Sequence, residues 1–235
     1  QEDLKVYSRS LGIDLFGAAD IAVAADFIRA QGGEYLGRFP RAISIGMRLL
    51  DAVVDELHRH EEPAVLFSYR GLYSSANANL DRAALLIAKR VQEEGYKAYT
   101  IQASGGGGRG SLEAAFSHKL AANLAGLGWI GKSCLLVTPE YGPRIRLASI
   151  LTDAPLTVGS PLPIRCGECR KCVDICPAKA FTGVPFKTFE PRDVRFKAQI
   201  CSDYTQGRAK QLGEGICGLC VYVCPHGSKT RRPKP

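Results

Sequence analysis

The spacing Cys166-x2-Cys169-x2-Cys172-x3-Cys176-Pro177 constrains this chain more than any other stretch. Three thiols at that spacing let a tight loop wrap three irons of one cubane. The fourth lies a turn further on, points away and serves a second cluster. An incomplete second copy follows as Cys217-x2-Cys220-x3-Cys224-Pro225. Its missing first cysteine would fall at Glu214, and Cys201 is the nearby thiol left to replace it. The pattern predicts two 4Fe-4S clusters, one on Cys166, Cys169, Cys172 and Cys224, the other on Cys176, Cys201, Cys217 and Cys220.

Other uses of thiols fit less well. Disulfides need an oxidising compartment, yet nine cysteines are an odd number and no hydrophobic signal segment opens the sequence. Structural zinc prefers two ligand pairs closing one tetrahedron, not three evenly spaced cysteines followed by Cys-Pro. Reduced thiols and clusters point to the cytoplasm of an anaerobic or oxygen-sparing cell. Gln1 in place of Met hints at a trimmed chain and leaves a removed leader open. No run of about 18 apolar residues exists, so no membrane span is expected.

The formal charge of +8 over 235 residues invites a nucleic-acid reading. Each oxidised cluster with its four thiolates adds about −2, which brings the total to about +4. Part of the remainder sits at Lys229, Arg231, Arg232 and Lys234, a run read as solvated. A nucleic-acid partner is therefore not expected from charge.

Ahead of the cysteines, helices alternate with roughly five strands, giving an α/β or α+β sandwich with a mixed sheet over residues 1–155. Helices are expected over 2–12, from Ile21 to Gly32, over 49–60, from Asn77 to Glu94 and from a Ser111 cap to Ala125. Strands are expected over Ile13–Ala18, Arg41–Met47, Lys97–Ala103, Cys134–Thr138 and Ile145–Leu151. The last pair reads as a hairpin turned by Pro139–Pro143, and Tyr69–Tyr73 reads as a loop. Gly105–Gly110 breaks all order, as a flexible loop or as an anion-binding run of N–H groups.

In the Ser111 helix, Leu112, Phe116, Leu120 and Leu124 form a core stripe. The opposite alanine face carries His118 and suits either tight helix packing or a cofactor. Gly126-Leu-Gly-Trp-Ile-Gly131 matches GxGxxG, but helix precedes and strand follows, the wrong order for a dinucleotide site. Cys134 reads as a buried thiol outside the ligand sets. Ala154–Pro163 reads as a linker to a small cluster domain over 164–235.

Taken with Ile150-Leu-Thr-Asp153 and the Cys166 motif, the run Gly126-Leu-Gly-Trp-Ile-Gly-Lys132-Ser resembles the epoxyqueuosine reductase family. More distantly it resembles the corrinoid reductive dehalogenases. The resemblance runs from Leu11-Gly-Ile-Asp14 to Pro225 and implies a nitroreductase-like cobalamin-binding domain beside a ferredoxin-like double 4Fe-4S domain. It implies a cobalamin-dependent reductase fed by a low-potential donor of ferredoxin or flavodoxin type, acting on a small molecule. It also assigns Gly128, Trp129, Ile130, Gly131 and Lys132 to the corrin.

The departures are as informative. The family's catalytic aspartate falls on Leu112 and a family arginine on Lys119. The tyrosine of a family Asp-Tyr-His run falls on Tyr73, between Leu72 and Ser74. Tyr73 and His118 are the candidate proton donors or substrate contacts that remain. The helical-repeat extension used for tRNA is not found after Pro225, so a minimal paralogue with another substrate is expected. An electron carrier for a separate corrinoid protein, or tRNA epoxyqueuosine reduction itself, are the alternatives.

Overall fold

The computed structural model describes residues 1–105 and 112–227. In chain order its first elements are α1 (Glu2–Ser10), β1 (Leu15–Asp20), α2 (Ala25–Gly32), β2 (Arg41–Arg48), α3 (Asp51–Asp55), α4 (Pro63–Glu93) and β3 (Ala98–Ile101). They are followed by α5 (His118–Leu124), β4 (Trp129–Ile130), β5 (Leu136–Val137), β6 (Ile145–Thr152), α6 (Lys171–Asp174), α7 (Ala198–Leu212) and α8 (Leu219–Tyr222). The fold is α+β, and the chain divides into two compact units.

The first unit takes Gln1–Arg48, Ser75–Gly128 and Arg146–Pro163. Its four-stranded sheet has the order β1-β2-β6-β3, with β1 antiparallel to β2 and β3 antiparallel to β6. Both faces of the sheet are covered. From β2, Ile43 and Ile45 join Leu80, Ala84 and Ile87 of α4 in one core, together with Ala148 and Ile150 of β6. On the opposite face Ala42 and Leu151 meet Ile21 and Ile28 from around α2, and Phe116, Leu120 and Ala121 from around α5. Side chains alternate across a strand, so two covered faces require the unbroken buried run 42–46 that β2 shows, with Ser44 as its polar member.

The second unit takes Leu49–Ser74, Trp129–Ile145 and Ile164–Pro235. The sequence places a boundary near residues 155–164, whereas this unit also includes two earlier segments. Its regular structure is sparse: the two-stranded β4-β5 ladder, and the short helices α3, α6 and α8 beside the longer α7. Elements this short cannot be held by their own hydrogen bonds.

Several expectations need correction. Tyr69–Tyr73 is not a loop but part of α4, which runs unbroken for 31 residues. Tyr69 is buried, so its aromatic ring reports packing rather than exposure. The helix expected from Ser111 begins at His118, capped by Ser117, whose Oγ accepts from the Leu120 N–H at 3.3 Å. Leu112 lies outside it and is exposed, while Ser111 and Gly106–Gly110 fall outside the described residues.

The expected hairpin is split between two sheets: β5 pairs with β4, and β6 joins the larger sheet. Only the bridge from Thr138 to Gly142 survives of it. Ala154–Pro163 is no free linker either. Gly159 donates its N–H to Ala18 O at 2.8 Å, and a Cβ there would meet the Ala125 carbonyl. In the glycine motif, Gly126 adopts a φ of +75° directly after α5, and Gly128 O accepts from Asn123 Nδ2 at 2.9 Å. Helix precedes strand there, in the order read from the sequence.

Candidate metal centre

The cysteine loops are built from tight local turns. Cys169 N–H bonds back to Cys166 O at 3.0 Å, α6 carries Cys172, and Cys176 follows it within one turn. Cys201 lies in the first turn of α7, Cys220 lies in α8, and Cys224 follows α8. Gly218, at φ +80°, lets the chain reverse between Cys217 and Cys220. No disulfide joins the cysteines.

The thiols stand close enough to one another to interact electrostatically. Burial pushes the Cys172 thiol up to about 11, and the thiols that add to it are Cys224, Cys166 and Cys169. These four also line one pocket, together with Gly131, Lys132 and His226. Burial likewise raises Cys201, with Cys176 and Cys217 as its thiol neighbours. Cys220 is raised by burial first and then by Cys217, Cys201, Cys176 and Cys172. The backbone N–H of Leu219 and the Arg208 guanidinium partly offset the burial of Cys217. The N–H groups of His226 and Gly227 do the same for Cys224.

The donor chemistry fits two polynuclear clusters. Thiolates around one zinc stand about 3.8 Å apart, given Zn–S bonds of about 2.3 Å in a tetrahedron. Among the described residues no group of three His, Cys, Asp or Glu side chains could hold a single metal ion. Two sets of four thiols, the first of them lining one pocket, suit cubanes. Cys134 is buried at a φ of 54° and belongs to neither set.

Most of the residues assigned by resemblance to a corrin have partners within the second unit. Trp129 is fully buried and meets the His226 ring edge-on at 4.9 Å. Ile130 pairs with Leu136, and Gly131 N–H donates to Leu135 O at 2.9 Å. A Cβ at Gly131 would approach Val137 Cγ2 to 2.9 Å, so packing within the second unit already requires this glycine. Lys132 Nζ donates to Gly167 O at 2.7 Å, in the loop between Cys166 and Cys169. The side chains from Trp129 to Lys132 thus make their contacts within the second unit, beside the first thiol set. They brace the first thiol set.

His118 and Tyr73, the candidate proton donors, belong to different units. His118 has both ring nitrogens engaged within the first unit, Nδ1 with Ser149 Oγ and Nε2 with Gln102 O, each at 2.9 Å. Tyr73 projects from α4 in the other unit. Sequence reasoning missed Arg208, whose only signal is a position seven residues after Cys201, on the same helical face. It also missed Asp81, which accepts the Ala103 N–H at 2.7 Å and ties α4 to the end of β3.

Residues 165–227 match the 4Fe-4S double cluster binding domain family. The epoxyqueuosine reductase of Bacillus anthracis is 26% identical over 247 residues, covering 96% of this chain and 64% of the relative. The chain thus spans less than two thirds of that relative's length. A solved epoxyqueuosine reductase with an epoxyqueuosine-modified tRNA-Tyr stem loop superposes with a TM-score of 0.60 at 18% identity, covering 96% of this chain and 64% of that one. A solved reductive dehalogenase, studied for B12-dependent dehalogenation, reaches 0.71 at 19% identity, covering 97% of this chain and 32% of that one. Among the described residues no helix is long and apolar enough to cross a membrane. Over nearly its whole length the chain is thus similar to the epoxyqueuosine reductases, its fold is similar to that of a reductive dehalogenase, and its residues 165–227 match the double cluster domain.

Proposed function

We propose that this chain is an iron–sulfur reductase, fed by a low-potential ferredoxin- or flavodoxin-type donor and working with cobalamin on a small-molecule substrate. Cys166, Cys169, Cys172 and Cys224 hold one 4Fe-4S cluster, and Cys176, Cys201, Cys217 and Cys220 hold the other. The grouping of the thiols carries this reading. The relatives, which are reductases by name, supply the reaction class. When bound, the clusters supply one-electron transfer and the corrinoid a strongly reducing centre.

The chain's own residues seat and shield the clusters. The β4-β5 ladder and Trp129 close off the first set, and the Gly167 carbonyl is pinned by Lys132. Around the second set, Arg208 fixes the chain on the N-terminal side of Cys217 by donating to Ile216 O at 3.3 Å.

The commitments of Trp129 through Lys132 favour a second reading, in which the corrinoid belongs to a separate protein and this chain only delivers electrons. One set of measurements separates the two. Protein reconstituted anaerobically is analysed for iron and sulfide, with about eight irons per chain expected. It is then titrated with cobalamin and followed by absorption and EPR through reduction. Stoichiometric binding supports the reductase, and absence of binding leaves the electron carrier. Reduction of an epoxyqueuosine-containing tRNA stem loop by the loaded protein would assign it the substrate of its relative instead. Cys201→Ala is expected to remove one cluster and spare the other, and survival of both refutes the ligand sets.

A further inference from the structure

The molecule buries four cations among its described residues: Lys132, Arg144, Arg195 and Arg208. A buried charge is costly unless something of opposite sign stands beside it. Arg144 has Asp51 at 3.1 Å and Asp55 at 2.8 Å. Arg195 has Glu190 at 3.9 Å. Lys132 and Arg208 are 9% and 5% exposed, and neither forms an ion pair with a carboxylate among the described residues. Lys132 donates to Gly167 O, while Arg208 donates to Ile216 O and to His60 O. Carbonyls orient a cation but do not neutralise it.

These two cations stand one at each thiol set. Lys132 lines the pocket of Cys166, Cys169, Cys172 and Cys224, and its hydrogen bond lands between two of those cysteines. Arg208 shares a face of α7 with Cys201 and bonds the carbonyl next to Cys217. Arg144 and Arg195 have carboxylates, whereas Lys132, in the pocket of the first set, and Arg208, at the carbonyl next to Cys217, have none among the described residues.

We infer that Lys132 and Arg208 are dedicated counter-charges, one for each cluster, and that they hold the clusters' reduction potentials up. The inference rests on the two-cluster reading. With its thiolates, each cluster carries about −2 when oxidised and about −3 after taking up one electron, with no proton required. A fixed positive charge in a poorly solvated site favours the more negative form, so its removal lowers the potential. Both residues are positioning residues: they act on the cluster and not on substrate.

The test uses the full chain, loaded anaerobically and titrated with titanium(III) citrate under EPR. The Cys201→Ala protein, which retains one cluster, identifies the first cluster's signal. Lys132→Met should lower the midpoint of that cluster and Arg208→Met that of the other, each by about tenfold in the one-electron equilibrium, or ~59 mV. Lys132→Arg and Arg208→Lys should keep the wild-type potentials, because charge is retained while shape changes. Unchanged potentials in fully loaded methionine variants overturn the inference. If Arg208→Met loads poorly, Arg208→Lys decides: restored iron content upholds the counter-charge, and iron content no better than the methionine variant's refutes it. A wild-type chain with far fewer than about eight irons would sink the two-cluster reading itself, before any potential is measured.

Discussion

His118 joins Ser149 and Gln102, and burial holds its pKa below the ordinary histidine value. Nε2 faces a carbonyl and must carry the hydrogen, which leaves Nδ1 to accept from the Ser149 hydroxyl. With the folded value depressed, the neutral ring contributes stability above the unfolded value of about 6.5, and that contribution is lost as pH falls below it. His60 has the same sign, lowered by burial and then by Arg208. We predict that His118→Ala costs about 1–3 kcal/mol near neutral pH, since the hydroxyl and carbonyl lose their partner. The gap from wild type should narrow progressively as pH falls below about 6.5, because protonation of the buried ring is penalised in the folded wild type. Anaerobic thermal unfolding at each pH measures this, and a gap independent of pH would rule the linkage out. A histidine in the middle of an alanine face looks in sequence like a cofactor contact. Its two partners lie 16 and 31 residues away along the chain, and nothing local announces them.

At the scale of elements, the turn 138–142 shows how the cluster site depends on close backbone packing. Gly142 has a φ of +55°, and a Cβ there would meet Gly227 N at 2.5 Å and His226 C at 2.7 Å. Those atoms belong to the turn that follows Cys224, whose O accepts the Gly227 N–H. Gly142→Ala is therefore expected to displace Cys224 and lower the iron content by up to about four irons, the complement of one cluster. A variant that keeps its full iron and an unchanged EPR spectrum would show that the turn does not position the ligand. The cysteine spacing made this site legible, because cluster geometry dictates ligand spacing directly. The strand β2 was legible too, from its alternation, but its burial on both faces was not. The extent of α4 was not legible: Pro63 and Gly71 read as breaks, yet Leu66, Tyr69, Ala76, Leu80, Ala84, Ile87 and Val91 continue one buried stripe along it. Strand pairing was missed for a related reason. The strands β5 and β6 are neighbours in sequence, yet β5 turns back onto β4 just before it while β6 pairs with the distant β3.

At the scale of the whole molecule, the formal charge of +8 combines with two clusters to leave about +4. Much of the remaining charge is exposed around the cysteine motif, at Arg165, Arg170, Lys171 and Lys179, where Glu168 and Asp174 offset only part of it. An acidic electron donor would be drawn to such a surface over about a Debye length, roughly 8 Å at physiological ionic strength and about 3 Å at 1 M. The second-order rate of cluster reduction by an acidic flavodoxin should thus fall steeply as salt rises, by about tenfold or more between low and molar ionic strength. The rate with an uncharged small reductant should change little. Stopped-flow absorbance at each salt concentration reads both rates, and Lys171→Glu should flatten the salt dependence seen with the flavodoxin while leaving the small-reductant rate alone. Equal salt dependence with the two reductants would mean that electrons enter without electrostatic guidance. The exposed arginines and lysines would then serve hydration alone, and the donor would have to be recognised through apolar contact.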